Sequence, residues 1–170
     1  MKVKSQSYGK VEAMKRSGLE SQNSSLEVIS LNLEDLNACL ELDKIALKGL
    51  WSKNQWEKEL SYSKRLCKGI YNHSNLIALG CGWVVVDELH LTAIAVHPKH
   101  RRLGLGQKVI SSLFLEAIQQ GCTRATLEAK SNNIAALALY KSSGFITAGC
   151  RRNYYQNGAD ALIQWRSLNS

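Results

Sequence analysis

The sequence predicts a mixed α/β (α+β) fold, a twisted mixed β-sheet of six to seven strands with helices on both faces. Three observations carry that expectation. Short apolar or alternating runs of strand length interleave with longer runs whose apolar residues recur every three to four positions. The run Leu89–Val96 is apolar on both faces, as a strand covered by helices on both sides requires. After it, Gly104 and Gly106 clear side chains from a tight turn that opens the next helical run.

The elements follow in order. Leu26–Leu31 reads as a short strand. Asn32 with Asp35 marks a helix start, and Leu36, Cys39, Leu40 and Leu47 keep helical spacing to about residue 47. Ser52 and Gln55 repeat the start signal for a second short helix, on which Trp56 and Leu60 share a face. The period then changes. Arg65–Tyr71 and Leu76–Val86 are strands around the Asn72-His73-Ser74-Asn75 turn, and Asp87-Glu88 leads into Leu89–Val96. Val109, Ile110, Leu113, Phe114, Ala117 and Ile118 form an amphipathic helix that Gly121 stops. Thr123–Ala129 is a strand and Asn133–Ser142 a short helix ended by Gly144. Phe145–Arg152 and Ala159–Arg166 are last strands flanking Asn157-Gly158.

A length of 170 residues fits one domain, placed at residues 25–168. Residues 1–24 carry Lys2, Lys4, Lys10, Lys15 and Arg16 among Ser, Gln and Gly, and read as a disordered basic leader. The leader lacks the apolar centre of a secretory signal, and Glu12 and Glu20 weigh against a transit peptide. A cytoplasmic location is expected, or an organelle stroma or matrix if the leader is a transit peptide after all. No run of about 18 apolar residues suggests a membrane span. The net charge of +8 suits an anionic cofactor, a ribosome or simple solubility. Its basic residues are dispersed without interleaved aromatics, so nucleic acid is not expected as a direct substrate. Five cysteines, odd in number and without C-x-x-C, point to buried reduced thiols rather than a disulfide framework or zinc site. His90, His97 and His100 lie seven and three residues apart, two of them flanking a surface loop, and no metal is expected.

The turn Arg101-x-x-Gly104-x-Gly106 lies between a buried strand and a helix N-terminus, where backbone N–H groups and flanking arginines suit a diphosphate. Downstream come Leu127-Glu128 at a strand end, then Asn132-Asn133-x-x-Ala136-x-x-Leu139-Tyr140-x-x-x-Gly144-Phe145. These motifs resemble those of the GNAT acetyltransferase superfamily, over roughly Leu26 to Leu168. Ile94-Ala95-Val96 and Arg151-Arg152-Asn153-Tyr154-Tyr155 bring the resemblance closer to its RimI-type members, which acetylate the N-terminal alanine of a ribosomal protein.

The resemblance implies acetyl-CoA as co-substrate. Its diphosphate would lie on Arg101, Arg102, Leu103, Gly104, Leu105, Gly106 and Gln107, and its pantetheine arm along the backbone of Ile94, Ala95 and Val96. Glu128 would be the general base and Tyr140 the general acid. On residues alone, Glu128 reads first as a solvated strand-end carboxylate, and the alternative for Tyr140 is a packed aromatic. Asn133 and Tyr140 lie two helical turns apart on one face, about 10 Å along the axis. Asn133 suits a CoA contact or a helix cap. Cys122 and Cys150 are other candidate nucleophiles, but neither neighbours a histidine, so direct attack by the amine is expected.

The acceptor implied is a protein N-terminal α-amine, possibly ribosomal. The family selects acceptors with the loop between the first two helices and the loop between the last two strands. Here these hold Trp51, and Tyr154 with Tyr155, which are also ordinary candidates for packing. A lysine or small-amine (polyamine) N-acetyltransferase is the alternative, followed by a non-catalytic CoA-binding regulator. Oligomeric state is not legible.

Overall fold

A computed structural model describes residues 26–169; the proposed leader lies outside them. Seven strands and four α-helices alternate: β1 (Val28–Ser30), α1 (Leu36–Ala46), α2 (Lys53–Ser61), β2 (Arg65–Asn72), β3 (Asn75–Val85) and β4 (Glu88–Val96) come first. Then follow α3 (Leu105–Gln119), β5 (Arg124–Lys130), α4 (Ile134–Ser142), β6 (Ile146–Arg151) and β7 (Ala161–Ser167). The mixed α/β fold with helices on both faces is as predicted, and most boundaries differ by one or two residues. The main local difference is at the first helix. Asn32 and Asp35 do close a capping box, but around a single 3-10 turn, Leu33–Asp35, and α1 begins only at Leu36. Ser52 and Gln55 cap α2 reciprocally, as their spacing predicts.

The strands form one sheet in the order β1-β2-β3-β4-β5-β7-β6. All neighbours are antiparallel except β4 and β5, which run parallel with α3 between them in sequence. Helices α1 and α2 cover one face, where Cys39, Leu42 and Trp56 meet Leu79, Cys81, Ala93 and Ala95. On the other face, Val109, Ile110, Leu113 and Phe114 of α3 pack on Ile70, Ala78, Leu89, Leu91 and Leu127. Fully burying side chains such as Ile70, Leu79 and Leu89 stabilises the fold by about 1.5–3 kcal/mol each. Gly80 admits this packing, because a Cβ there would sit 2.5 Å from Val109 Cγ1.

One feature of the sheet creates the site. Strands β4 and β5 pair only from Glu88↔Arg124 to Leu91↔Leu127. At that point a bulge puts Thr92 out of register, between Leu91, opposite Gly82, and Ala93, opposite Cys81. Beyond it β4 continues to Val96 beside β3 alone, and β5 continues to Lys130 beside β7 alone. The two central strands part, leaving a cleft through the sheet.

Candidate active site

The cleft exposes backbone. His97 N–H donates to Ile77 O at 2.8 Å, so in an antiparallel ladder the alternate residue Ala95 also turns its polar groups to β3. Ile94 and Val96 turn theirs toward the cleft. Of the three residues named from sequence, the cleft is therefore served by Ile94 and Val96, and Ala95 contributes its small side chain to the opposite core. Arg101 Nε donates to Val96 O at 3.3 Å, tying the following loop back to the strand end. Thr92 Oγ1, at the fork, is buried without a partner.

The loop leads to the N-terminus of α3. Arg102 and Gly104 both take left-handed backbone, φ 66° and 74°. Gly104 is the N-cap and offers no side-chain acceptor; the first helical bond runs from Lys108 N to Gly104 O at 3.0 Å. The N–H groups of Leu105, Gly106 and Gln107 are thus left without a protein cap at the positive end of a 15-residue helix. Arg101, Arg102 and Leu103 are exposed beside them, whereas Leu105 and Gly106 are buried. Gly106 lets α3 close on α4, since a Cβ there would meet Leu139 Cδ2 at 3.0 Å. Gln107 turns its side-chain amide to Ser142 O at 3.2 Å, joining the two helices.

Along β5, Ala125, Leu127 and Ala129 face α3, which puts Glu128, the first residue past the fork, on the α1–α2 side. Arg151 Nη1 lies 3.2 Å from Glu128 Oε1. Tyr140 lies on the α3–α4 side, its ring edge-on to Phe145 with centroids 6.0 Å apart. Burial, and then the nearby Tyr155, push its phenol up to about 12, so the hydroxyl stays protonated at neutral pH. Tyr155 is itself held above the usual phenol range by burial first, then by Glu128 and Tyr154. Tyr155 therefore lies within electrostatic reach of both Tyr140 and Glu128.

The remaining sequence candidates divide. Asn133 Oδ1 accepts from Ala136 N at 3.2 Å, so its oxygen caps α4 and only the amide nitrogen is free. Tyr154 is exposed with Arg151 over its ring at 5.5 Å, and Lys130 Nζ sits 4.7 Å over the Tyr155 ring. Trp51 stacks edge-on against buried Trp56 at 4.8 Å, in the α1–α2 layer. His97 and His100 stack in the loop, apart from His90, which bonds Thr126. Cys39, Cys67, Cys81 and Cys122 are buried free thiols and Cys150 is exposed. Burial pushes Cys39 up to about 12 and raises Cys122, so neither is a ready thiolate.

Two pairings escaped the sequence reading. Arg151 belongs to a motif noted above, but its partner Glu128 lies two strands away, a pairing that periodicity does not encode. Asp43 is buried in α1 and accepts three hydrogen bonds. Its signal was an acid three residues after Leu40 and four before Leu47, inside the apolar stripe.

Residues 33–145 match the acetyltransferase (GNAT) family. The chain is 35% identical over 144 residues to the ribosomal protein bS18-alanine N-acetyltransferase of Escherichia coli K12, covering 80% of this chain and 93% of that one. The crystal structure of the Escherichia coli ribosomal-protein-S18-alanine N-acetyltransferase superposes with a TM-score of 0.77 at 32% identity, over 85% of this chain and 94% of that one. A PaiA N-acetyltransferase from Thermoplasma acidophilum, solved with coenzyme A, shares the fold at a TM-score of 0.72 and 17% identity, over 84% and 99%. By sequence and by fold, the chain belongs to the GNAT family of acetyltransferases.

Proposed function

We propose that this acetyltransferase is RimI-type and works in the cytoplasm: it moves the acetyl group of acetyl-CoA onto the α-amine of a protein N-terminus, a ribosomal protein being the acceptor that its relatives' names suggest. The observation that carries the reading is the parting of β4 and β5 beyond Leu91 and Leu127, with Glu128 on one face of the sheet and Tyr140 packed on the other.

The residues present fit acetyl-CoA. The uncapped N–H groups of Leu105, Gly106 and Gln107, with Arg101, Arg102 and the backbone of Leu103 and Gly104, suit a diphosphate. Ile94 and Val96 offer strand-like hydrogen bonds to an amide-containing arm, and the amide nitrogen of Asn133 is a further donor. When bound, acetyl-CoA supplies the thioester carbonyl that the amine attacks.

Glu128 takes the proton from the incoming ammonium. Arg151 fixes Oε1 and leaves Oε2 to accept it. An α-amine of pKa near 8 gives up that proton at pH 7.5 for about 0.7 kcal/mol, against about 4 kcal/mol for a lysine near 10.4. A single carboxylate suits the first case better. Tyr140 donates its proton to the departing sulfur. The same burial that raises the phenol also raises the proton affinity of a thiolate forming beside it, so the transfer is not penalised one-sidedly. Trp51, Tyr154 and Tyr155 would border the acceptor.

A peptide panel tests the reading. Peptides with free N-termini should be acetylated at the α-amine, and N-terminally blocked lysine peptides should not. Exclusive use of the blocked peptides would instead make this a lysine acetyltransferase.

A further inference from the structure

We infer that Asp43 is the positioning residue of the acceptor loop between α1 and α2, acting on the acceptor through Trp51; this rests on the reading above that Trp51 borders the acceptor. Asp43 is 1% exposed, and among the described residues it has no cationic partner. Its Oδ1 accepts from Leu50 N–H at 2.7 Å; its Oδ2 accepts from Trp51 N–H at 3.0 Å and from Trp56 Nε1–H at 2.8 Å. Its backbone carbonyl takes Leu47 N–H at 2.8 Å and Gly49 N–H at 3.3 Å. One residue therefore holds four successive points of the loop and the indole beneath it.

That arrangement is hard to explain as packing. A leucine at position 43 would continue the stripe of Leu36, Leu40 and Leu47 without removing a charge from water. Both oxygens of the carboxyl group serve as acceptors here, and they meet three converging donors. The loop also needs an anchor, because Lys48 and Gly49 turn through left-handed backbone, φ 62° and 74°, a region that lysine rarely adopts. The carboxylate fixes Trp51 twice, by its N–H and by orienting the Trp56 ring on which Trp51 stacks. Trp51 lies on the sheet face that carries Glu128, not on the α3 face where the diphosphate loop leads.

Asp43→Asn keeps the shape but turns one acceptor into a donor facing an N–H group. The Michaelis constant for an acceptor peptide should rise about tenfold, while that for acetyl-CoA and kcat stay within about twofold. Trp56→Phe removes only the indole donor and should give a smaller rise, about threefold, again for the acceptor alone. A merely structural role would move both substrates together with the melting temperature. Equal rises for both substrates, or no change for the acceptor, overturn the assignment. If Asp43→Asn does not fold, Trp56→Phe decides by the same criterion. The assays use whichever amine the wild-type protein accepts, so failure of the α-amine reading and failure of the loop assignment are separable.

Discussion

Strands β4 and β5 behave as two different structures at their two ends. In the paired half, polar side chains satisfy one another across the ladder. Glu88 receives Arg124 Nε at 2.8 Å and the Thr126 hydroxyl at 2.5 Å, Thr123 donates to Asp87 at 3.0 Å, and His90 Nδ1 lies 3.0 Å from Thr126 Oγ1. Because the Thr126 proton already goes to Glu88, His90 Nδ1 must be the donor in that last contact. In the parted half, among the described residues, fewer polar groups are matched across the strands: Thr92 Oγ1 is orphaned, Ile94 and Val96 turn backbone away from β3, with only Val96 O taken by Arg101, and the first turn of α3 is uncapped. The contrast separates two jobs within one strand pair. The closed end fixes the register that makes the other end stay open.

The contrast can be broken at either end. The largest effect belongs to the open half. Glu128→Gln should lower kcat about a hundredfold or more, with the melting temperature nearly unchanged, because its partner Arg151 is half-exposed and the loss leaves no buried charge alone. Steady-state kinetics with a peptide acceptor checks this, and a near-wild-type rate would remove Glu128 from the chemistry. The closed half should show the reverse. Burial pulls the Glu88 carboxyl up, but hydrogen bonds from Thr126 and Arg124 outweigh it and hold the group below its ordinary 4.5. A depressed folded value means that its contribution to stability is complete above about pH 4.5 and is lost as pH falls through the folded value. Glu88→Gln should therefore flatten the acid limb of a melting-temperature profile by a small amount and leave kcat at pH 7.5 unchanged. A steep loss of activity in that variant would show that the two ends are not separate.

Much of this was legible in the sequence, because it rests on local rules. Periodicity located the helices and strands to within a few residues, and Asn32, Ser52 and Asn133 each cap as their residue types predict. Glu128 and Tyr140 were singled out by motif; folding puts them on opposite faces of the sheet. The cleft itself was not legible. It depends on where β4 leaves β5, which a bulge at Thr92 decides, and on β7 inserting between β5 and β6. Strand order and register are set by pairing between distant segments, not by the pattern within one. The partners Arg151 and Asp43 were hidden for the same reason, since each gains its role only from a residue brought to it by the fold.

The most direct test of the cleft as the acetyl-transfer site is kcat of Tyr140→Phe, measured alongside its acetyl-CoA affinity. The ring and its packing against Phe145 survive and only the hydroxyl is lost. We expect kcat to fall about tenfold or more with the affinity for acetyl-CoA unchanged. A variant that turns over at the wild-type rate would contradict the assignment of Tyr140 as the acid, and with it the division of acid and base across the parted strands.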